Sequence, residues 1–230
     1  MFQKKLLLFD IDNTLTYGVK SHRKAFHTAF EKVYNVKTTV DVIDHSGMTD
    51  LQIVKEVLRY NGLSSNLIES KLENCKKIMV SEFLKNVKSE KIVTTPGAKS
   101  LLRLLSKRKE FVFGLVTGNL EPIAWAKLKK TGLDKYFSFG AFGSDGFERN
   151  ELVKIALSRA KSLGLIHKAD KVVLFGDTPR DMMAAKSSNI FAIGVQTGGY
   201  TKKALKEAGA DYVIKSFLEK DKILQVICTY

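Results

Sequence analysis

An α/β fold follows from two observations in this 230-residue chain. Short apolar runs alternate with amphipathic stretches, and one long interval near the N-terminus breaks that alternation. Apolar runs at 6–9, 111–117, 137–142, 171–175, 190–195 and 212–214 read as strands. Amphipathic segments at 98–107, 122–131, 151–163 and 201–208 read as the helices between them. Strand–helix alternation with short connections predicts a parallel sheet with helices on both faces. Such sheets bind ligands at the carboxyl ends of their strands, which is where the polar loops of this sequence fall.

The interval 16–95 is read as helical throughout, with no strand. Ala25, Phe26, Ala29, Phe30 and Val33 make one apolar stripe. Ile53, Val54, Val57 and Leu58 make a second, opened by Thr49 or Asp50 as its cap. Segment 67–84 supplies more helix, and Pro96-Gly97 marks the return to the α/β rhythm. The expected division is a core of 1–15 and 96–230 with an all-helical insertion of 16–95. Inserted after the first strand, those helices sit above the carboxyl edge of the sheet, as a lid or as a packed appendage.

A hydrophobic content of 44% with mixed charge excludes a disordered chain. Cys75 and Cys228 lie far apart without metal-ligand spacing and are expected as free thiols of a reducing, cytoplasmic compartment. The first apolar run is too short to cross a membrane and ends in carboxylates, so no membrane partner is expected. A net charge of +14 admits a nucleic-acid partner. The cations, however, are dispersed over nearly every helix, with modest concentrations at 107–109 and 127–130 that read as solvated surface. A small anionic substrate is expected instead of nucleic acid.

The chemistry gathers at strand ends. Leu6-Leu7-Leu8-Phe9 delivers Asp10 and Asp12, two carboxylates two residues apart, followed by the turn residues Asn13 and Thr14. Two like charges so close repel by about 4 kcal/mol at ~4 Å and an effective dielectric of about 20. A metal or a proton resolves that conflict at a functional site; the alternative is two acids that merely punctuate a strand exit. The second strand ends Thr117-Gly118-Asn119, with Pro122 entering a helix, an arrangement suited to an anion. A later strand ends Gly176-Asp177-Thr178-Pro179-Arg180-Asp181, giving an acid at the strand end and another at a helix start. Asp10 and Asp177, on strands that could be neighbours, would supply the two carboxylates that Mg²⁺ usually takes from a protein. Asp181 could act there, as a helix N-cap, or both. Between these segments Arg149 precedes a helix, as a cation for the transferring group or as a surface ion-pair residue.

Together, Asp10-x-Asp12-x-Thr14-Leu15, strand-end Thr117-Gly118-Asn119, a basic residue and Gly176-Asp177-Thr178-Pro179-x-Asp181 resemble the haloacid dehalogenase-like hydrolase superfamily, in family order and over essentially the whole chain. The resemblance implies a Rossmann-like core with a helical cap, as in the phosphoglycolate phosphatase-like and phosphomutase-like branch. His45-Ser46-Gly47-Met48-Thr49-Asp50 resembles the specificity loop of that cap. It implies Asp10 as nucleophile and Asp12 as acid/base. Thr117, Gly118 and Asn119 are then expected at the substrate phosphate. Mg²⁺ is expected on Asp10, Asp177, the main-chain carbonyl of Asp12, and Asp181 as ligand or outer shell. One departure stands out: related members carry Lys-Pro where this chain has Arg149-Asn150, so the cationic role goes to Arg149, with Lys154 as runner-up.

The implied activity is a Mg²⁺-dependent phosphatase acting on a small phosphorylated metabolite through an aspartyl-phosphate. Asp12, Asp177 and Asp181 argue against haloacid dehalogenation, and the absence of a lysine from 45–50 argues against phosphonate hydrolysis. A sugar phosphomutase uses the same core and stays open. A basic nucleic-acid-binding protein on a hydrolase-like scaffold rests on charge alone. Tyr17, Lys20, His22, Met48 and Thr49 are candidates for reaching the substrate, with His22 and His45 read as exposed.

Overall fold

The computed structural model describes residues 4–18, 20–167 and 170–230. The first strand, β1 (Lys5–Phe9), is followed by a short β2 (Thr16–Tyr17) and three helices, α1 (Lys20–Tyr34), α2 (Asp50–Tyr60) and α3 (Ser65–Asn86). A short β3 (Val93–Thr94) leads into α4 (Ala98–Leu105), β4 (Phe111–Val116), α5 (Glu121–Thr131), β5 (Gly140–Ala141) and α6 (Arg149–Ser162). The chain closes with β6 (Lys171–Gly176), α7 (Pro179–Ser187), β7 (Phe191–Val195), α8 (Lys202–Glu207), β8 (Tyr212–Ile214) and α9 (Lys220–Thr229).

Six strands form one sheet in the order β5-β4-β1-β6-β7-β8, every pairing parallel. β1 is central because its residues are apolar on both faces. Leu7 and Phe9 pack among α4, α5 and α9, and Leu6 and Leu8 pack among α6, α7 and α8. A continuous apolar run thus becomes a strand covered twice. Phe9 stacks on Phe175 with ring centroids 4.7 Å apart and meets Phe113, Phe137 and Phe217 at 5.9–6.3 Å.

The inserted helices bury their own cluster, in which both expected stripes take part. Of the two candidate caps of α2, Thr49 is the one: its side chain accepts from the Gln52 N–H, and Asp50 starts the helix. Leu120 and Ile123 of the core join this cluster, so the helices share apolar packing with α5. Contrary to the strand-free reading of 16–95, β2 and β3 pair antiparallel where the insertion leaves and rejoins the sheet. The Thr95 hydroxyl donates to the Thr14 carbonyl at 2.6 Å beside this ribbon. Two-residue strands carry no periodicity, so the pattern could not reveal them.

The strand expected over 137–142 shrinks to β5, an edge strand that pairs only with the end of β4. Phe137 and Phe139 still bury their rings, so the segment is apolar like a strand, but the two rings lie in clusters on opposite faces, whereas residues two apart in a strand would share one. α9 is absent from the pattern-based reading, since Ile223 and Ile227 are its two buried residues. Cys75 is buried, Cys228 is exposed, and both are free thiols. No helix among the described residues is long and apolar enough to cross a membrane.

Phe9→Ala should cost about 3–5 kcal/mol, as for other buried aromatic truncations. Urea unfolding would measure it, and a loss below about 1 kcal/mol would show that the ring cluster is not the centre of the core.

Candidate active site

β1 stops at Phe9, and the chain turns at once: Asn13 takes a left-handed φ of 57°, and the N–H groups of Leu15 and Thr16 both donate to the Ile11 carbonyl. The two acids are therefore placed by a tight turn, not by strand alternation. Asp10 stays in register beside β6, its N–H donating to the Phe175 carbonyl at 3.0 Å. Because β1 lies between β4 and β6, the ends that carry Asp10, Thr117 and Asp177 are adjacent.

Asp10, Asp177 and Asp181 are buried and offer carboxylate oxygens within 4.8 Å of one another. Gly176 makes this possible, since a Cβ there would overlap the Asp181 carboxylate. Arg149, the first residue of α6, enters the cluster from the other side. Its Nη2 donates to Asp10 Oδ1 at 2.6 Å and its Nε to Asp181 Oδ1 at 2.7 Å. Its remaining nitrogen, Nη1, is buried with no hydrogen-bond partner among the described residues. Lys154, the runner-up for the cationic role, is exposed on α6. Asp181 is not the N-cap of α7; Thr178 is, and Asp181 completes a capping box by accepting the Thr178 N–H at 3.1 Å and its hydroxyl at 2.7 Å.

Three carboxylates share one guanidinium, and the electrostatics reflect it. Burial pushes Asp10 up to about 7, with Arg149 opposing the shift and Asp181 and Asp12 adding to it. Asp177 is raised well above the ordinary carboxylate range by burial and by the neighbouring charges of Asp10 and Asp181, against one hydrogen bond from the Thr14 hydroxyl at 3.1 Å. The cluster is thus a set of hard oxygen donors short of positive charge. That chemistry fits a divalent cation such as Mg²⁺.

Asp12 lives in a different environment. Both its oxygens lie 2.7 Å from Lys127 Nζ, and Oδ2 also accepts the Asn119 amide at 2.8 Å. Burial alone would raise Asp12, but Lys127, with help from the Asn119 amide, outweighs it and holds the carboxyl below its usual range. Asn119, expected at a phosphate, has its side chain engaged by Asp12, Lys127 and Thr117 Oγ1. Thr117 is buried at the end of β4.

Gly118 carries the contact with the inserted helices. Its carbonyl accepts the Asp50 N–H at 2.7 Å, and a Cβ at this position would collide with the Met48 carbonyl. Asp50 then returns a bond to the core, accepting the Leu120 N–H at 2.7 Å. Thr49 donates to the Phe147 carbonyl at 2.8 Å, and Arg180 donates to the Ser46 carbonyl. These elements enclose a cavity of about 190 Å³ that Asp10, Asp12, Arg149, Asp177, His45 and Met48 line. Tyr17 instead donates to the Thr197 carbonyl, and Lys20 is exposed. His22, read as exposed, is buried at 6% and bonded on both ring nitrogens.

Lys127 escaped the sequence reading. It belongs to the 127–130 group taken for solvated surface, yet its side chain is fully buried. A signal existed: Ile123, Ala124, Lys127 and Leu128 fall on one helical stripe, and all four are buried.

The family model for haloacid dehalogenase-like hydrolases matches residues 7–195. The phosphorylated carbohydrates phosphatase of Thermotoga maritima is 34% identical over 228 residues, covering 96% of this chain and 97% of the relative. The phosphoglycolate phosphatase of Vibrio parahaemolyticus is 25% identical over 224 residues, covering 96% of each. Among solved structures, a hydrolase from Pseudomonas syringae aligns with a TM-score of 0.73 at 24% identity over 98% of this chain and 99% of its own, a likeness of fold.

The raised Asp10 carboxyl has a consequence for the metal-free protein. Its proton is held more tightly in the folded chain than in the unfolded one, whose value is 3.8. Its stabilising contribution is full below that value and is lost as pH rises through about 7. In chelator, the melting temperature should fall between about pH 4 and 7, and Asp10→Asn should flatten the decline. An unchanged slope in that variant would remove Asp10 as its source.

Proposed function

The chain belongs to the haloacid dehalogenase-like hydrolases, and within that family we propose a Mg²⁺-dependent phosphatase of small phosphate monoesters, working through an aspartyl-phosphate. The observation that carries the reading is Arg149. It bridges Asp10 and Asp181 and keeps a buried Nη1 without a partner, as a group awaiting a phosphate oxygen would. An active-site guanidinium beside a buried carboxylate, with a metal-type cluster behind it, suits phosphoryl transfer, where positioning and charge stabilisation do most of the work.

In this reading an Asp10 oxygen attacks phosphorus as the bond to the leaving oxygen breaks. Asp12 delivers a proton to that oxygen and later takes one from the water that cleaves the acyl phosphate. Thr117 and the Gly118 N–H hold phosphate oxygens beside Arg149. Asp10, Asp177 and the main-chain carbonyl of Asp12 would hold Mg²⁺, which neutralises charge on the transferring group, with Asp181 behind them fixing Arg149. We take 16–95 as a cap over a core of 1–15 and 96–230, and the closeness of Gly118 to Met48 supports that division. The names of the relatives point to phosphorylated carbohydrates and phosphoglycolate, and the small cavity suits a metabolite of that size. The unpaired cysteines agree with a cytoplasmic setting.

Phosphate release from 4-nitrophenyl phosphate should require Mg²⁺, stop in chelator and fall at least about 10³-fold in Asp10→Asn. Turnover that survives this substitution would overturn the nucleophile assignment. Phosphate transfer between positions of a hexose phosphate, without net release, would replace the phosphatase by a phosphomutase.

A further inference from the structure

The partners of Lys127 divide its protons without remainder. An ammonium has three N–H donors and no acceptor. One faces Asp12, 2.7 Å from both oxygens; one reaches Asn119 Oδ1 at 2.6 Å; one reaches His22 Nδ1 at 3.1 Å. None is left for a substrate, so Lys127 is not placed to bind phosphate. It is placed to fix its neighbours. With its oxygen on Lys127, the Asn119 amide must turn its nitrogen to Asp12 Oδ2 and Thr117 Oγ1, at 2.8 and 3.1 Å. Asp12 is thereby gripped from two directions.

The third partner lies on the inserted helices. Because Lys127 can only donate, His22 Nδ1 accepts, and its Nε2–H donates to Asp50 Oδ2 at 3.1 Å. The same Asp50 oxygen accepts the Leu120 N–H, one residue after Asn119. A closed circuit of buried groups thus runs from α2 through α1 to α5 and ends on Asp12. His22 is held in place by Phe26 and Phe83, with ring centroids 5.0 and 5.8 Å away.

We infer that Lys127 is a positioning residue that sets the orientation of Asp12, and that the His22–Asp50 pair makes this orientation depend on the inserted helices being docked. The inference rests on the acid/base role proposed above for Asp12. It adds a function for three side chains, Lys127, His22 and Asp50, and a reason for the helices to touch the core at Gly118 and Leu120: the Asp12 carboxyl is aligned when the cavity is covered.

The test compares kcat/KM, which reports the steps through departure of the leaving group, for phenyl phosphate and 4-nitrophenyl phosphate. The two esters share a shape, but phenolate is the more basic leaving group and needs the proton more. Lys127→Met should lower kcat/KM about 10²-fold on phenyl phosphate and about 10-fold or less on the nitro ester, the pattern of a misaligned general acid. Asp12→Asn, measured alongside, should show the same selectivity more strongly. Equal losses on both esters, or no loss, in folded Lys127→Met would overturn the inference. Should Lys127→Met fail to fold, His22→Phe keeps the aromatic packing while cutting the link. A selective loss there of about 10-fold supports the inference, and an unselective one overturns it. An Asp12→Asn variant without selectivity would instead remove the acid/base reading, a result separable from failure of Lys127→Met alone.

Discussion

Three buried carboxylates gathered beside a single guanidinium, which bonds two of them, are the constraint around which the rest of the structure is arranged. Asp10, Asp177 and Asp181 converge because β1 and β6 are neighbours in a parallel sheet and α7 begins directly beyond β6. Desolvation of such a group costs several kcal/mol unless charge is returned to it. Arg149 returns part, with its Nε and Nη2 held by two of the acids. The remainder is a deficit of positive charge aimed into a cavity. A divalent cation would supply the missing charge.

The two acids of the first turn have been given opposite environments. Asp10 sits among like charges and is pushed up; Asp12 sits on an ammonium and is held down. Such separation leaves the two carboxyls of the metal-free site unequal in charge, with Asp12 the more readily ionised. Here the separation depends on tertiary contacts far along the chain, since Arg149 and Lys127 come from different helices on different faces of the sheet.

Docking of the inserted helices uses backbone more than side chains. Gly118 lets the Met48–Asp50 segment approach closely, and the Asp50 N–H meets its carbonyl. A side chain at 118 would hold these elements apart. Polar contacts from Thr49, Asp50 and Arg180 then surround the cavity, while Leu120 and Ile123 tie the helices to α5 through apolar packing. The same few residues after β4 therefore serve the carboxyl edge of the sheet, the start of α5 and the inter-element seam.

Local chemistry wrote much of this protein plainly. Apolar runs of four to six residues marked β1, β4, β6 and β7, since strands covered on both faces must be apolar throughout. Asp10, Thr117 and Asp177 were legible because acids and hydroxyls directly after such runs fall at the carboxyl edge of the sheet. Arg149 was legible as a basic residue before a helix, ahead of Lys154; that α6 buries the first and exposes the second is a matter of its geometry. The β2–β3 ribbon is too short to leave a period, and β5 mimicked a longer strand because its flanking phenylalanines are buried for packing. Lys127, His22 and Asp50 lay beyond reach for a deeper reason. A polar residue on a buried stripe announces only that it needs partners, and the distant ones lie 28 to 115 residues away in the chain. Composition and periodicity determine which residues are buried; only the folded chain decides which buried charges meet.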